Sequence, residues 1–339
     1  MKPTLPILVL SLLLLVAAGC IQDTPMSSGQ VAPASATPAA ATSVPAADSR
    51  VSAAYWYLYP DPNDDTYSLV MAEKDAIPWT KINRFYIGFA TVKDGVLTDL
   101  PTGDSADDAT RRAEMQRRVR EMVALCHEKN PDAEILISSN FGGSELDREY
   151  LTAALDPQKF ADSVLAYLKE YDLDGYDMDW ESSNIDDYVP QLTALLSTCH
   201  ATFASAGLNP HGRSYKVTHT VWPGVESAQT VAGLKDAVDQ VNIMSYGTGD
   251  KYDLVSYADA YAAAGFPPGK MIGGLESESG YTDNAGPDTQ ETVAAKCAYV
   301  KSHNLAGLFV WRIDNDMRPD NAAPTYQVTG WMNGCLAGI

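Results

Sequence analysis

Three carboxylates recur at every second position in the segment Asp174-Gly175-Tyr176-Asp177-Met178-Asp179-Trp180-Glu181, namely Asp177, Asp179 and Glu181. In an extended chain alternate residues share a face, so these three point one way while Tyr176, Met178 and Trp180 point the other. They stand about 7 Å apart along the chain by the strand rise. Crowded on one face, they cannot all stay ionised without cost, and at least one is expected to hold a proton near neutrality. A carboxyl kept protonated beside ionised ones is what a general acid requires. A solvated acidic edge would not alternate so regularly with Met and Trp. Other chemistries find less support. No GxSxG turn is present for a serine nucleophile, and the segment lacks the polar spacing and glycine of a calcium loop. No HExxH occurs, and His127, His200, His211, His219 and His303 form no close ligand pair along the chain. Neither a metal nor a cofactor is expected.

Carboxylates on one strand need a scaffold that gathers them at a common mouth. From residue 51 onward short β-rich apolar runs alternate with longer amphipathic ones, the pattern of repeated βα units around a parallel sheet. Strands are expected at 51–59, 84–91, 134–139, 175–180, 216–221, 240–246, 270–275 and 307–313. Helices are expected at 110–128, 157–171, 187–206, 228–238, 254–264 and 289–302. The helix at 110–128 shows the pattern clearly, with Met115, Val119, Met122, Val123 and Cys126 forming a stripe on a surface rich in Arg and Glu. Eight strands over about 290 residues fit an α/β fold of the (β/α)8 TIM-barrel type, with active residues at the strand C-terminal ends. A doubly wound open sheet gives the same local alternation. No GxGxxG or GxxxxGK[ST] loop follows the first strand, so the usual sign of a nucleotide fold is missing.

The chain carries 24 Lys and Arg against 44 Asp and Glu, a formal net charge of −20. Such a surface repels phosphate backbones, so nucleic acid is not an expected partner, whereas a neutral polysaccharide is not repelled. Residues 1–19 read as an export signal, with Lys2 before a mostly apolar run too short to span a membrane comfortably. Ala17, Ala18 and Gly19 precede Cys20, which resembles a prokaryotic lipobox; acyl chains on Cys20 would anchor the protein to the outer face of a membrane. The alternative is an ordinary secretory peptide. Residues 20–50 are Ala, Pro, Ser and Thr with few large apolar side chains, the composition of a disordered tether. Residues 51–339 are then the folded domain, expected as a monomer that meets the membrane only through the anchor. Of the other cysteines, Cys126, Cys199, Cys297 and Cys335, none has CxxC spacing. Each reads as a buried small residue or half of a disulfide, and Cys297 with Cys335, on what read as the last two helices, is a candidate pair.

Asp174 to Glu181 resembles the DGxDxDxE signature of family-18 glycoside hydrolases, the chitinases and endo-β-N-acetylglucosaminidases, at all five specified positions. Met244-Ser245-Tyr246 resembles the family's MxY on the sixth strand, and Trp311 its tryptophan on the eighth. Tyr55 and Phe89 fall where members place aromatics on the first two strands. The resemblance implies hydrolysis of β-1,4 linkages in an N-acetylglucosamine polysaccharide, with retention and without an enzyme nucleophile. Glu181 would protonate the glycosidic oxygen while the substrate's own acetamido oxygen attacks the anomeric carbon. Asp179 would orient the amide N–H, Tyr246 would donate to the acetamido group, and Asp177 would share a proton with Asp179. Trp311 would form the floor under the sugar, with Met244, Tyr55 and Phe89 as further substrate-binding residues.

Two positions depart from the family pattern. Its SxGG is one residue longer here, as Ser139-Asn140-Phe141-Gly142-Gly143, and Gly247 follows Tyr246 where many members have Asp. The α+β insertion that many members carry between the seventh and eighth barrel strands cannot fit in the roughly 30 residues between Leu275 and Gly307. An open groove and endo-type cleavage are expected in consequence. An endo-β-N-acetylglucosaminidase acting on N-glycan cores and a non-catalytic chitin-binding lectin on the same barrel are the alternatives.

Overall fold

The computed structural model describes residues 50–58, 66–99, 108–139, 144–246, 253–277, 287–316 and 325–337. The export signal, Cys20, most of the 20–50 tether, Gly247 and residues 140–143 of the strand-three motif lie outside these residues.

Strand β1 (Val51–Tyr57) is followed by α1 (Thr66–Ala72), β2 (Arg84–Lys93), β3 (Val96–Thr98), α2 (Asp108–Lys129) and β4 (Glu134–Ser139). Next come α3 (Ser144–Ala153), α4 (Pro157–Tyr171), β5 (Gly175–Met178), α5 (Val189–Ala206), β6 (Lys216–Val221) and α6 (Ala228–Gly233). The chain ends with β7 (Gln240–Ile243), α7 (Leu254–Ala264), β8 (Met271–Glu276), α8 (Gln290–Ser302), β9 (Gly307–Trp311) and α9 (Gln327–Ala337). The parallel strands run β1, β2, β4, β5, β6, β7, β8, β9, and β9 pairs back onto β1, so the sheet closes into the expected eight-stranded (β/α)8 barrel. Closure excludes the open doubly wound sheet. Strand β3 is an addition that the alternation does not announce; it pairs antiparallel with the end of β2. Between β8 and β9 the described residues hold α8, and the chain there is too short for a further domain.

Strand alternation sorts side chains into two layers. Ala53, Tyr55, Tyr86, Leu136, Ile272 and Phe309 form a small apolar cluster inside the barrel. Their neighbours Ala54, Trp56, Phe85, Ile87, Ile135 and Ile137 face the helices and join the large outer core. On β5 and just beyond it, Tyr176, Met178 and Trp180 belong to that outer layer, as the period of two requires. Gly175 opens β5 because nothing larger fits: a Cβ there would lie 2.5 Å from the Lys216 carbonyl oxygen of β6.

Helix ends follow local chemistry. Asp156 caps α4 by accepting from the Lys159 N–H, Pro157 occupies its first turn, and Asp172 closes it in the left-handed conformation. Thr289 and Thr292 form a reciprocal capping box at the start of α8. Cys297 of α8 and Cys335 of α9 are joined by a disulfide, while Cys126 and Cys199 are free and buried.

The expected strands at 134–139 and 216–221 match β4 and β6, but those at 175–180, 240–246 and 307–313 overrun. Beyond Met178 the Asp179 N–H still reaches the Ser139 carbonyl at 3.3 Å, and then the chain turns, with Ser182 N–H bonding Trp180 O. Beyond Ile243, Ser245 N–H folds back on the Ile243 carbonyl at 2.7 Å. Apolar periodicity continues through both turns, which is why sequence alone extends the strands.

Candidate active site

Asp177 is the last inward-facing residue within β5, fully buried, and its register partners are Ser138 of β4 and Thr218 of β6. Its Oδ2 accepts hydrogen bonds from the hydroxyls of Tyr55 (2.9 Å), Ser138 (2.7 Å) and Thr220 (3.0 Å). Its Oδ1 accepts from the Thr218 hydroxyl (2.6 Å) and the Asn242 amide (3.2 Å). Five donors from β1, β4, β6 and β7 thus converge on one carboxyl group. None of the last four was signalled by the sequence as a partner of Asp177, since they sit on three other strands whose register the sequence does not show. Tyr55, expected as a sugar contact, is instead 2% exposed and stacks on Tyr86 at 4.5 Å between ring centroids. It sits beneath the mouth, and its hydroxyl is spent on Asp177.

Asp179 and Glu181 follow the end of β5, at the mouth of the barrel, as strand C-terminal ends predict. Asp179 is 4% exposed, and its Oδ1 is buried without a hydrogen-bond partner. The proton sharing expected between Asp177 and Asp179 is not present as a hydrogen bond, because both Asp177 oxygens are taken by hydroxyl and amide donors. Burial, then the charges of Glu181, Asp177 and Glu226, push the Asp179 carboxyl well above the usual range. Glu181 is raised from 4.5 to about 7 by burial and then by the negative charge of Glu226. A carboxyl ionising there is still substantially protonated near neutrality, which meets the requirement read from spacing alone.

Two supports around Glu181 went unread in the sequence. Asp147 of α3 accepts from Trp180 Nε1 at 2.7 Å on one oxygen and from the Ser182 hydroxyl at 3.0 Å on the other. It therefore brackets Glu181 by its two neighbours. Trp180 is clamped further between the rings of Tyr150 (4.7 Å) and Tyr188 (5.7 Å). The second support is a buried pair: His219 of β6 donates from Nδ1 to the Met178 carbonyl at 2.8 Å, while its Nε2 meets Glu226 Oε2 at 3.0 Å. Burial, the largest single influence, would lower the His219 pKa, but Glu226, the Met178 carbonyl and the charge of Asp177 together turn the net direction upward. Glu226 Oε1 accepts from the Trp222 N–H. The charge that helps keep Glu181 protonated is thus fixed in place by both of its oxygens.

Across the mouth, Tyr246 lies edge-on to Phe309 at 5.9 Å. Gly274 on β8 makes room for it: a Cβ there would stand 2.6 Å from the Tyr246 ring and 2.8 Å from the Ile243 carbonyl oxygen. The turn that carries Tyr246 is tied down by Lys296 of α8, whose ammonium donates to the carbonyls of Ser245 (2.7 Å) and Gly274 (3.0 Å) and to Asp288. Trp311 ends β9, partly exposed, with ring contacts to Tyr55 (5.7 Å) and Phe89 (6.0 Å). Met244 and Phe89 are mostly buried, at 8% and 7% exposure. Asp174, the first residue of the signature, serves elsewhere. Its Oδ2 accepts from the Ile135 N–H (2.8 Å) and Arg213, and its Oδ1 from Asn209 (2.6 Å) and Arg213, a fully occupied structural anchor where β5 begins.

The closed barrel thus gathers three carboxyls at and beneath its mouth, one of them pushed up to about 7 and one with a buried unpartnered oxygen. Residues 53–278 match the model for Glycosyl hydrolases family 18, and the chain belongs to that family. It is 26% identical over 177 residues to Chitinase A1 of Niallia circulans, a match covering 47% of this chain and 25% of that protein. The fold is similar to that of a class V chitinase from Nicotiana tobaccum solved in complex with NAG4, with TM-score 0.66, 17% identity and coverage of 85% of this chain and 99% of that one. It is also similar to the chitinase-like agglutinin RobpsCRA from Robinia pseudoacacia, with TM-score 0.64, 16% identity and coverage of 84% and 99%.

Proposed function

We propose that this protein is a retaining, endo-acting hydrolase of β-1,4-linked N-acetylglucosamine chains that works by substrate-assisted catalysis. The observation that carries the reading is the unequal provision of the three carboxyls. Asp177 has five donors; Asp179 has a buried oxygen with none, and Glu181 is raised to about 7. A buried unpartnered acceptor is costly unless something that binds supplies the donor. The N–H of a 2-acetamido group is such a donor, and it would leave the acetamido oxygen free to attack the anomeric carbon. Glu181 gives its proton to the departing glycosidic oxygen as that bond breaks, and the acetamido oxygen forms the new bond, giving an oxazolinium ion. Water then opens the ion from the face the leaving group vacated, opposite the acetamido oxygen, with Glu181 as base. Tyr246 donates to the acetamido oxygen, and Trp311 offers an apolar face to the sugar ring.

A chromogenic chito-oligosaccharide tests this. Glu181→Gln should abolish turnover, and Asp179→Asn, which keeps the acid, should lower it by about 10²-fold or more, as for removal of a donor or acceptor aimed at developing charge. Unchanged turnover in Asp179→Asn would remove the substrate-assisted route, and wild type no faster than Glu181→Gln would favour a lectin like the agglutinin above. Activity on a high-mannose glycopeptide alone would select the N-glycan alternative. The short β8–β9 connection supports internal cleavage of long chains, and early release of disaccharide from a single end would contradict it. For location we propose a lipid anchor at Cys20, supported by the small residues before it; Cys20→Ser should move the protein from the membrane to the soluble fraction.

A further inference from the structure

The end of the barrel where the strands begin, opposite the carboxyl mouth, gathers two histidines and an aspartate that lie far apart in sequence. His127 comes from the last turn of α2, Asp172 closes α4, and His211 sits in the loop before β6. The sequence shows no close histidine pair, yet the fold stacks these two imidazoles at 4.3 Å between centroids and 26° between planes. His211 Nε2 bonds the Asp172 carboxyl group, whereas His127 Nε2 bonds the Asp172 backbone carbonyl oxygen at 3.2 Å and stands near the carboxyl group. His211 Nε2 lies 3.0 Å from Asp172 Oδ1, and His127 Nε2 lies 3.5 Å from Asp172 Oδ2. One ligand atom from each of the three residues lies within 4.8 Å of the others.

We propose that His127, Asp172 and His211 form a binding site for a divalent transition-metal ion of the zinc type. Two imidazoles and a carboxylate are the donor set such ions take. The nitrogen–oxygen separations of 3.0 and 3.5 Å run to different oxygens of Asp172, so an ion taking both imidazoles requires the His127 ring to leave the Asp172 carbonyl and turn out of its stack on His211. All three residues are partly exposed, leaving a fourth position to water.

Asp172 and His211 are held before any ion arrives, while His127 has to turn to join them. Asp172 adopts φ 57°, a left-handed conformation uncommon for a residue with a side chain, and so presents its carboxyl group beside the helix end instead of leaving the position to glycine. The loop that carries His211 is a tight turn. Asn209 Oδ1 accepts from the N–H groups of His211 (3.0 Å) and Arg213 (2.9 Å), and the Asn209 amide is pinned on Asp174. The nearby cation Arg213 is spent on Asp174 and on the Asp132 carbonyl, so its charge is largely neutralised. One element of a strong site is missing. His127 Nδ1 is buried without a partner, so no acceptor polarises that imidazole from behind. Affinity is therefore expected to be micromolar, not nanomolar.

The test uses the full chain without a histidine tag, stripped with a chelator and titrated with Zn2+ against a chromophoric competitor. One equivalent should bind with micromolar affinity, raise the thermal midpoint and leave chito-oligosaccharide turnover unchanged. Co2+ should give the visible absorption of a tetrahedral site. His211→Ala and, separately, His127→Gln should each weaken binding at least tenfold, with circular dichroism reporting that the fold is kept, while Asp179→Asn should not change it. Binding that survives both histidine substitutions, or is lost in Asp179→Asn, would overturn the proposal, as would no saturable binding below the millimolar range. In those cases the cluster is an ordinary hydrogen-bonded surface group.

Discussion

Replacing Glu181 with Gln is expected to make the protein more stable, and more so as the pH rises. The folded carboxyl ionises near 7 and the unfolded one near 4.5. The fold therefore binds this proton more tightly than the unfolded chain does. For a group raised in this way, the carboxyl costs nothing while it is protonated in both states, below about pH 4.5. Its cost to the fold grows as the pH climbs from there to 7, and then levels off. The cost is negligible near pH 4, below about 1 kcal/mol near pH 5 and about 3 kcal/mol near pH 8. Partial exposure of Glu181 and its interaction with Asp179 make the last figure an upper bound, so about 2–3 kcal/mol is the expected difference. Gln has nearly the same shape and never ionises, so it escapes that cost at every pH. Urea unfolding of wild type and Glu181→Gln at a series of pH values between these limits would show it as a rising gap in midpoint at constant slope. A gap that stays flat within about 0.5 kcal/mol, the ordinary scatter of a surface substitution, would refute the placement of Glu181 as a buried, protonated acid, whatever the variant's activity.

Three further outcomes follow from the same site. Glu226→Gln removes the charge that raises Glu181 while keeping an acceptor for His219, so the alkaline limb of kcat/KM, expected near 7, should move to lower pH; an unmoved limb would show that Glu226 does not act on the acid. Asp147→Ala strips the bracket from Trp180 and Ser182, so kcat should fall about tenfold to a hundredfold through misplacement of Glu181, with about 1–3 kcal/mol lost for the orphaned indole N–H; full activity with only the stability loss would make Asp147 purely structural. Gly274→Ala sets a methyl group against the Tyr246 ring and the Ile243 carbonyl, costing about 1–3 kcal/mol or more of overpacking; a chemical-denaturation midpoint equal to wild type would show that the close approach is not real.

How much was legible depends on range. The barrel and the face shared by Asp177, Asp179 and Glu181 could be read because strand alternation is a local signal. Cys297 with Cys335 is only a candidate pair from helix assignments, since nothing in the sequence separates that bond from buried free thiols. The donors on Asp177 could not be read, since Ser138, Thr218, Thr220 and Asn242 converge only once β4, β6 and β7 lie in register beside β5. A faint sign existed in the alternation of Thr218 and Thr220 with Val217, His219 and Val221. Tyr55, an aromatic within the first strand, looks the same from sequence whether it faces the mouth or the interior. The His219–Glu226 pair and the His127–His211 stack were invisible for a related reason: each joins residues whose separation in sequence carries no periodicity.

The three carboxyls differ less in their own chemistry than in what their neighbours leave undone. If all were equally solvated, crowding alone would raise one of them, but nothing would say which. The barrel settles the matter by spending its polar groups unevenly. Hydroxyls and an amide from four strands converge on Asp177, so the innermost group is fully satisfied. Asp179, two residues on, is almost as deeply buried but receives no donor on its Oδ1, and burial with the charges of Glu181, Asp177 and Glu226 pushes it well above the usual carboxyl range. Glu181 comes last, where burial and the fixed charge of Glu226 act on it together. A sequence with the same three acids but without Ser138, Thr218, Thr220 and Asn242 would leave Asp177 short of donors too, and the contrast between it and Asp179 would be lost. The division of labour is thus a property of β1, β4, β6 and β7 as much as of the strand that bears the acids.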